Sequence, residues 1–170
     1  NPIEQEGTYP LPQAQLDRFL LKVYIDYPDM DEELLMVKQI TSDSVADKLD
    51  VSSIQEVLKP EEIISLQRYT STLGVDEQIV AYAVNIVRTT RDWSGIETGS
   101  GPRGSIALLR AGRANAVLSG RRFVTPDDIK AVAPAVLRHR IKLSADLEIE
   151  GYRADDVLKD ILSNVQAPRV

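Results

Sequence analysis

The residues best suited to chemistry lie in the segment 99–104, Gly-Ser-Gly-Pro-Arg-Gly, which leads into a stretch rich in alanine and leucine. Pro102 fits the first position of a helix, because it has no N–H group to leave unpaired and its φ is already close to the helical value. Arg103 then projects from a helix N-terminus, where free N–H groups and the helix dipole attract anions. The segment therefore suits either a phosphate-binding arginine or an ordinary helix start with a solvated arginine.

The composition excludes several other kinds of site. The chain has no cysteine and one histidine, His139, which excludes a zinc site built from such ligands. The net charge of −6 argues against a nucleic-acid-binding surface, and a helix-turn-helix would depend on a local cluster of Arg121, Arg122, Arg138 and Arg140. No apolar run approaches the ~20 residues of a membrane span and no signal peptide is recognisable, so a cytoplasmic location is expected.

The N-terminal part of the chain differs from the rest. Residues 1–15 are rich in proline, glycine and polar side chains and are expected to be mostly loop. The apolar run 20–25, closed by Pro28, is predicted to form a single strand. A lone strand leaves both of its edges unpaired, so we expect its partners in residues that precede this sequence.

The remainder of the chain is predicted to be helical. Acidic residues, prolines and a threonine that are typical of helix starts predict helices beginning near Asp31, Pro60, Asp76, Pro102 and Thr125. A last helix is expected around residues 157–165, whereas 92–101 and 144–151 are expected to be loops. The residues from about 60 onward are therefore predicted to fold as a helical bundle.

Two of these helices have faces that can be assigned from the spacing. In the helix after Asp76, an apolar stripe is predicted to include Ile79, Ala83, Ile86 and Val87, widened by Val80 and Val84. In the helix after Pro102, a narrow face of small residues is predicted to comprise Ala107, Ala111, Ala114 and Leu118. A different face carries Arg103, Arg110 and Arg113, and Gly120 is predicted to end the helix.

The order of several motifs resembles the MoxR family of AAA+ ATPases. The N-terminal block NPIEQEGTYPLP, followed by AQLDRF at 14–19, is similar to the end of the family's ATPase core. The later motifs are similar to the family's helical lid: Thr90-Arg91, residues 99–103, GRRFVTPDD at 120–128 and LRHR at 137–140. The resemblance implies a mainly α chain: a helical lid bundle (60–170), a connecting helix and linker (29–59), and a short remnant of a P-loop α/β core, a loop plus one strand (1–28).

The resemblance also implies roles for three residues. Asn1 would be the sensor 1 residue that orients the attacking water, Arg18 the arginine finger that reaches a neighbouring subunit, and Arg103 the sensor 2 residue that contacts nucleotide in its own subunit. The alternatives are a simple Asn-Pro turn for Asn1 and a surface ion pair with Asp17 for Arg18. Gly101 and Gly104 stand where the family usually has serine and alanine, which predicts a looser helix entry.

The resemblance implies that the parent protein uses ATP and Mg²⁺ to remodel partner proteins. It would form a ring of six subunits, with von Willebrand factor A-domain proteins as typical clients. The chain contains no G-x-x-x-x-G-K-[ST] segment and no strand that ends in paired acids. The isolated chain is therefore expected neither to bind ATP tightly nor to hydrolyse it. The alternative from another functional class is a stand-alone helical interaction module that needs no nucleotide.

Overall fold

The computed structural model describes residues 11–42 and 54–168, which form eight helices and one two-stranded sheet. The mainly helical fold class is therefore confirmed. In chain order, the elements are α1 (Gln13–Leu16), α2 (Met30–Ser42), α3 (Pro60–Thr72), α4 (Glu77–Asp92), β1 (Ile96–Thr98), α5 (Pro102–Leu118), α6 (Pro126–Leu137), β2 (Lys142–Leu143), α7 (Ala145–Ile149) and α8 (Ala154–Asn164).

The described residues divide into two compact units. The first contains residues 11–22 and 67–168, and the second contains 23–42 and 54–66. In the second unit, α2 starts with a reciprocal pair of bonds, because the Glu32 N–H donates to Asp29 Oδ1 at 2.9 Å and the Asp29 N–H donates to Glu32 Oε2 at 3.3 Å. The predicted acidic start of this helix is thus confirmed.

The core of the first unit lies between α4, α5, α6 and α8. The predicted stripe of α4 is confirmed, since its four members are completely buried: Ile79, Ala83, Ile86 and Val87. The predicted widening by Val80 and Val84 is wrong, because these side chains remain 37% and 36% exposed. Tyr82 and Thr90 are buried in α4 instead.

Helix α5 packs against α4 and α6. Ala107 and Ala111 are buried as predicted, but Leu118 is 87% exposed and does not belong to the contact face. Gly120 ends α5 as predicted. Its φ of 72° allows the Gly120 N–H to donate to Val117 O and the Arg121 N–H to donate to Ala116 O, both at 2.9 Å, which completes a Schellman motif.

The first unit also contains short elements in segments that were predicted to be loops. Strand β1, within the expected loop 92–101, pairs antiparallel with β2, and Ile96 lies opposite Leu143. Helix α7 lies within the expected loop 144–151. Elements of two to five residues are too short to show a hydrophobic period, so whether they form depends on contacts with residues distant in the sequence.

The strand predicted at residues 20–25 is wrong, because this segment forms neither helix nor strand. Its backbone bonds instead to the carboxyl end of α6. The Lys22 N–H donates to Ala135 O at 2.8 Å, and Arg138 Nη1 donates to Lys22 O at 3.1 Å. The last carbonyls of a helix lack partners within the helix. One of them, that of Ala135, therefore accepts the Lys22 N–H bond that a paired strand would otherwise accept.

Candidate anion-binding site

The turn before α5 is fixed by the last residues of α4. The Ser100 N–H donates to Thr90 Oγ1 at 2.9 Å, and Arg91 Nε donates to Ser100 O at 2.9 Å. A Cβ atom on Gly99 would lie 2.6 Å from the Thr90 carbonyl oxygen, so this close approach requires glycine. The family-like Thr90-Arg91 pair therefore positions the segment that carries Arg103.

The start of α5 is tightly packed, although a looser one was expected. Pro102 occupies the first position of the helix, as predicted, and Gly101 provides no side-chain cap. Gly104 is buried, and a Cβ atom there would lie 2.3 Å from Ser100 Oγ and 3.2 Å from Leu137 Cδ2. Gly104 therefore permits a closer approach of the Ser100 and Leu137 side chains than alanine would.

An open cleft of about 410 Å³ lies beside this helix start. Its lining includes Arg18 and Arg103, the two predicted site residues that fall within the described chain, together with Asp17, Leu20, Ile106, Ala107, Arg110 and Arg140. The fold thus brings together two arginines that are far apart in the sequence. We call this cavity the arginine cleft. Asn1, the third predicted site residue, lies outside the described residues.

The arginine cleft has an excess of positive charge. Four arginines and one carboxylate, that of Asp17, line it. Asp17 Oδ2 lies 3.7 Å from Arg103 Nη1, and Asp17 Oδ1 accepts a 3.1 Å bond from Arg140 Nε. Asp17 therefore does not form the alternative ion pair with Arg18 that the sequence allowed.

The exposed arginines of the cleft are available to an anion. Among residues 11–42 and 54–168, no carboxylate forms an ion pair with Arg18 or Arg110, and the Arg103 side chain is 59% exposed. Arg113, which the sequence places on the same face of α5 as Arg103 and Arg110, also forms no ion pair in this part of the chain. Arg113 does not line the cleft, and its Nε is buried without a hydrogen-bond partner.

Arg140 differs from the other three arginines because it is buried. Its side chain is 3% exposed, and its guanidinium contacts the loop at residues 17–20. Burial lowers the pKa of Arg140, while the hydrogen bond to the Asp17 carboxylate opposes that effect. An arginine stays charged under such conditions, so Arg140 neutralises Asp17 from the buried side of the cleft.

His139 holds the same loop through a second contact. Its Nε2 lies 3.1 Å from Phe19 O, which requires the hydrogen to be on Nε2, and its Nδ1 is buried without a partner. Burial lowers the pKa of His139, and the bond to Phe19 opposes this. Gln13 Nε2 adds a 3.0 Å bond to His139 O.

A polar cluster around one arginine, Arg121, lies at the start of α6. Arg121 donates to both carboxylate oxygens of Asp128, at 2.5 and 2.6 Å, and Asn115 Nδ2 donates to Asp128 Oδ1 at 2.8 Å. Thr125 and Asp128 form a capping box at the helix start that was predicted near Thr125. Burial alone would raise the pKa of Asp128, but the bonds from Arg121, Thr125 and Asn115 outweigh it and hold that pKa well below its usual range.

The helix-turn-helix hypothesis loses its basis in this structure. Three of the four arginines on which it depended contact carboxylates of the same chain: Arg121 with Asp128, Arg138 with Asp155, and Arg140 with Asp17. Within the described ranges, no group of His, Cys, Asp or Glu side chains could hold a metal ion. None of the helices described is long and apolar enough to cross a membrane.

Comparisons with known proteins agree with this architecture. The profile of the AAA lid domain matches residues 88–161, and that of the ATPase family associated with various cellular activities (AAA) matches residues 1–21. YeaC of Bacillus subtilis is 41% identical over 99% of this chain and 51% of its own length. The chaperone MoxR1 of Mycobacterium tuberculosis is 32% identical over 100% of this chain and 46% of its own.

A solved structure extends the comparison to the fold. The crystal structure of a protein from Cytophaga hutchinsonii superposes with a TM-score of 0.86 at 32% identity, over 99% of this chain and 52% of that one. The fold and both profiles define an AAA+ protein with a helical lid domain. The chain belongs to the MoxR family of AAA+ ATPases, as the resemblance predicted, and spans about half the length of the relatives it matches.

Proposed function

We propose that this chain is the part of a MoxR-type AAA+ ATPase that supplies cationic side chains to the phosphates of ATP. The observation that carries the proposal is that Arg18 and Arg103 line one cleft, both exposed and neither neutralised by a close ion pair. ATP supplies the phosphoryl group whose transfer releases the energy for work on protein clients. Guanidinium groups suit this task because they remain charged and match the geometry of phosphate oxygens.

The geometry favours a single nucleotide for both arginines. Arg18 and Arg103 line the same cleft of one chain, the arginine cleft. An arginine finger acts on a nucleotide bound by a neighbouring subunit. We therefore propose that Arg103 reaches that same nucleotide across the subunit boundary, instead of the nucleotide of its own subunit. Arg18 would stabilise charge on the transferred phosphoryl group, and Arg103 would hold the phosphates in place.

Several finer points stay predictions based on the family. These are the role of Asn1 as sensor 1, the domain boundaries at 1–28, 29–59 and 60–170, the ring of six subunits, the von Willebrand factor A-domain clients and the cytoplasmic location. The described residues provide no metal-holding group, so we propose no Mg²⁺ ligand among them. The 170-residue chain by itself is predicted not to hydrolyse ATP, since it lacks the phosphate-binding loop motif.

The test uses the full-length protein with Arg18→Ala, Arg103→Ala and a control, Arg88→Ala, which removes an exposed arginine of α4. Arg18→Ala is expected to keep nucleotide binding and to lower turnover by about 10³- to 10⁵-fold, the usual contribution of an arginine finger. The Arg88→Ala protein should turn over ATP normally. Normal turnover of Arg18→Ala would refute the role of Arg18.

Mixed rings decide which nucleotide each arginine reaches. Each variant is combined with subunits whose own Mg²⁺-binding carboxylates have been replaced. Those subunits cannot hydrolyse ATP, but they present intact arginines to their neighbours. Recovery of turnover is expected with both Arg18→Ala and Arg103→Ala. Recovery with Arg18→Ala alone would show that Arg103 contacts the nucleotide of its own subunit. Recovery with neither variant would count against contact of either arginine with the nucleotide of a neighbouring subunit.

A further inference from the structure

We propose that Arg140, together with Asp17, is a positioning residue for Arg18. Arg140 fixes the loop at residues 17–20 in the conformation that directs Arg18 into the arginine cleft. The inference rests on the proposed function of Arg18 as an arginine finger. It assigns a role to a buried arginine that the sequence placed only in the lid-like motif LRHR and in a possible DNA-binding cluster.

All five N–H donors of Arg140 are used. Nε donates to Asp17 Oδ1 at 3.1 Å, and Nη2 donates to the main-chain oxygens of Asp17 and Phe19 at 3.2 and 2.6 Å. Nη1 donates to Leu20 O at 3.2 Å and also to Val136 O in α6. Four of the five bonds therefore end on the loop, on both sides of Arg18. A planar guanidinium with five fixed donors is suited to such a site, whereas an ammonium group is not.

Among the described residues, the other supports of the loop are mainly backbone hydrogen bonds, in which the N–H groups of residues 17–19 donate to carbonyls of α1. Helix α1, which precedes it, is only four residues long, and residues 17–20 belong to no helix or strand. The side chains of Phe19 and Leu20 are 55% and 46% exposed, so apolar packing does little to hold them. The carbonyl groups of the loop thus depend on Arg140, with His139 as an additional donor to Phe19 O.

The ion pairs of Asp17 with Arg103 and with Arg140 differ in strength. The pair with Arg103 is long, at 3.7 Å, and the Arg103 side chain is 59% exposed, so it competes with solvent and contributes little. The pair with Arg140 is shorter and its arginine is buried. A phosphate can therefore draw Arg103 away from Asp17, while Asp17 and the loop stay attached to Arg140. The backbone that carries Arg18 remains in place when the cleft binds its anion.

The test compares Arg140→Lys with Arg122→Lys in the full-length protein. Both changes keep the positive charge and remove the guanidinium fork, but Arg122 is exposed. We expect kcat for ATP hydrolysis to fall about 10- to 100-fold in Arg140→Lys, the usual effect of a misplaced catalytic group. The KM for ATP should stay unchanged, and Arg122→Lys should behave as the unmodified protein. A raised KM with normal kcat would overturn the proposal.

Asp17→Asn provides an independent test if Arg140→Lys does not fold. Asparagine keeps the shape of Asp17 and leaves the backbone acceptors in place, so kcat should fall in the same direction by a smaller factor. A kcat equal to that of Arg122→Lys would overturn the proposal. In mixed rings, subunits that lack their Mg²⁺-binding carboxylates should restore turnover to Arg140→Lys subunits, because their loops are intact. Failure to restore it would also overturn the positioning role.

Arg18→Ala, measured in parallel, distinguishes a failure of the proposed role of Arg18 from a failure of the positioning role of Arg140. If Arg18→Ala turns over ATP normally, the proposed function itself fails. If Arg18→Ala is inactive while Arg140→Lys and Asp17→Asn turn over ATP like the Arg122→Lys control, only the positioning role fails.

Discussion

Arginine side chains in the first unit have two opposite kinds of surroundings. At the start of α6, Arg121 donates to both oxygens of a completely buried carboxylate, Asp128, which is also bonded to Asn115 and Thr125. In the arginine cleft, Arg18 and Arg110 have no ion pair in the described chain, and Arg103 has only a long one. In the first arrangement the Asp128 carboxylate is saturated with hydrogen bonds and neutralises Arg121, so the arrangement stabilises the fold.

The difference shows how to separate structural arginines from functional ones in a chain of negative net charge. A buried, bidentate pair costs much free energy to break, because one charge would remain buried without a partner. An exposed arginine without a close carboxylate contributes little to stability, yet it is free to bind a phosphate. Arg140 connects the two kinds of environment, since it is buried itself but holds the loop that carries an exposed arginine.

The largest effect on stability is expected at the saturated cluster. Asp128→Ala should lower the free energy of unfolding of the 170-residue chain by about 2–3 kcal/mol, because α6 loses its capping box and Asn115 and Arg121 lose their common acceptor. Arg110→Ala, in the cleft, should change it by less than about 0.5 kcal/mol. Urea unfolding followed by the fluorescence of Trp93, the only tryptophan in the chain, measures both. An equal loss of unfolding free energy in Asp128→Ala and Arg110→Ala would show that the two sites contribute equally to stability.

The pH dependence of the same cluster has a defined sign. The pKa of folded Asp128 is lower than its ordinary value of 3.8. The stabilisation is therefore complete above about pH 4 and is lost as the pH falls toward the lower pKa of the folded state. Asp128→Asn should lack this part of the acid sensitivity. If Asp128→Asn and the unmodified chain lost stability equally as the pH falls, the acid sensitivity would come from other carboxylates.

An intermediate effect is expected at the start of α5, where packing competes with helix propensity. Gly104→Ala gains up to about 1 kcal/mol of propensity, but it places a methyl group 2.3 Å from Ser100 Oγ, which typically costs about 1–3 kcal/mol. We expect a net loss on the order of 1 kcal/mol. Adding Ser100→Ala should recover most of it, since the contacts that remain are Leu137 Cδ2 at 3.2 Å, the end of a flexible side chain, and Ser100 Cβ at 3.4 Å. A stabilised single variant would show that the helix start is loose.

The smallest effect is expected from His139. Burial lowers its pKa, with smaller contributions from Arg140 and Lys22 in the same direction and from Phe19 and Asp17 in the opposite one. The unfolded chain, with an ordinary pKa of 6.5, thus binds the proton more readily. Stability is then highest above about pH 6.5 and decreases as the pH falls.

Since the chain contains one histidine, the effect has a clear control. Thermal unfolding between about pH 7.5 and pH 5.5 should show a falling melting temperature for the unmodified chain and a nearly constant one for His139→Gln. A constant melting temperature in both proteins would show that His139 is protonated equally well in the folded and unfolded states.

Local patterns predicted the helices and their ends well. The caps at Asp76 and Thr125, Pro102 at the start of α5 and Gly120 after it are all confirmed. Each depends on residues within a turn of one another, so the sequence contains the full information. The strand at 20–25 was predicted wrongly for the complementary reason, because its backbone bonds to Ala135 of α6, more than a hundred positions away.

The sequence by itself determined the family, the helical architecture and the presence of arginines at 18 and 103. Only the tertiary structure decided which arginines are neutralised and which remain free, since the pair between Asp17 and Arg140 joins residues separated by 123 positions. Hydrophobic periodicity and capping are short-range properties, whereas the partner of a charge depends on how distant segments pack. The role of an arginine in this chain is therefore set by its neighbours in space.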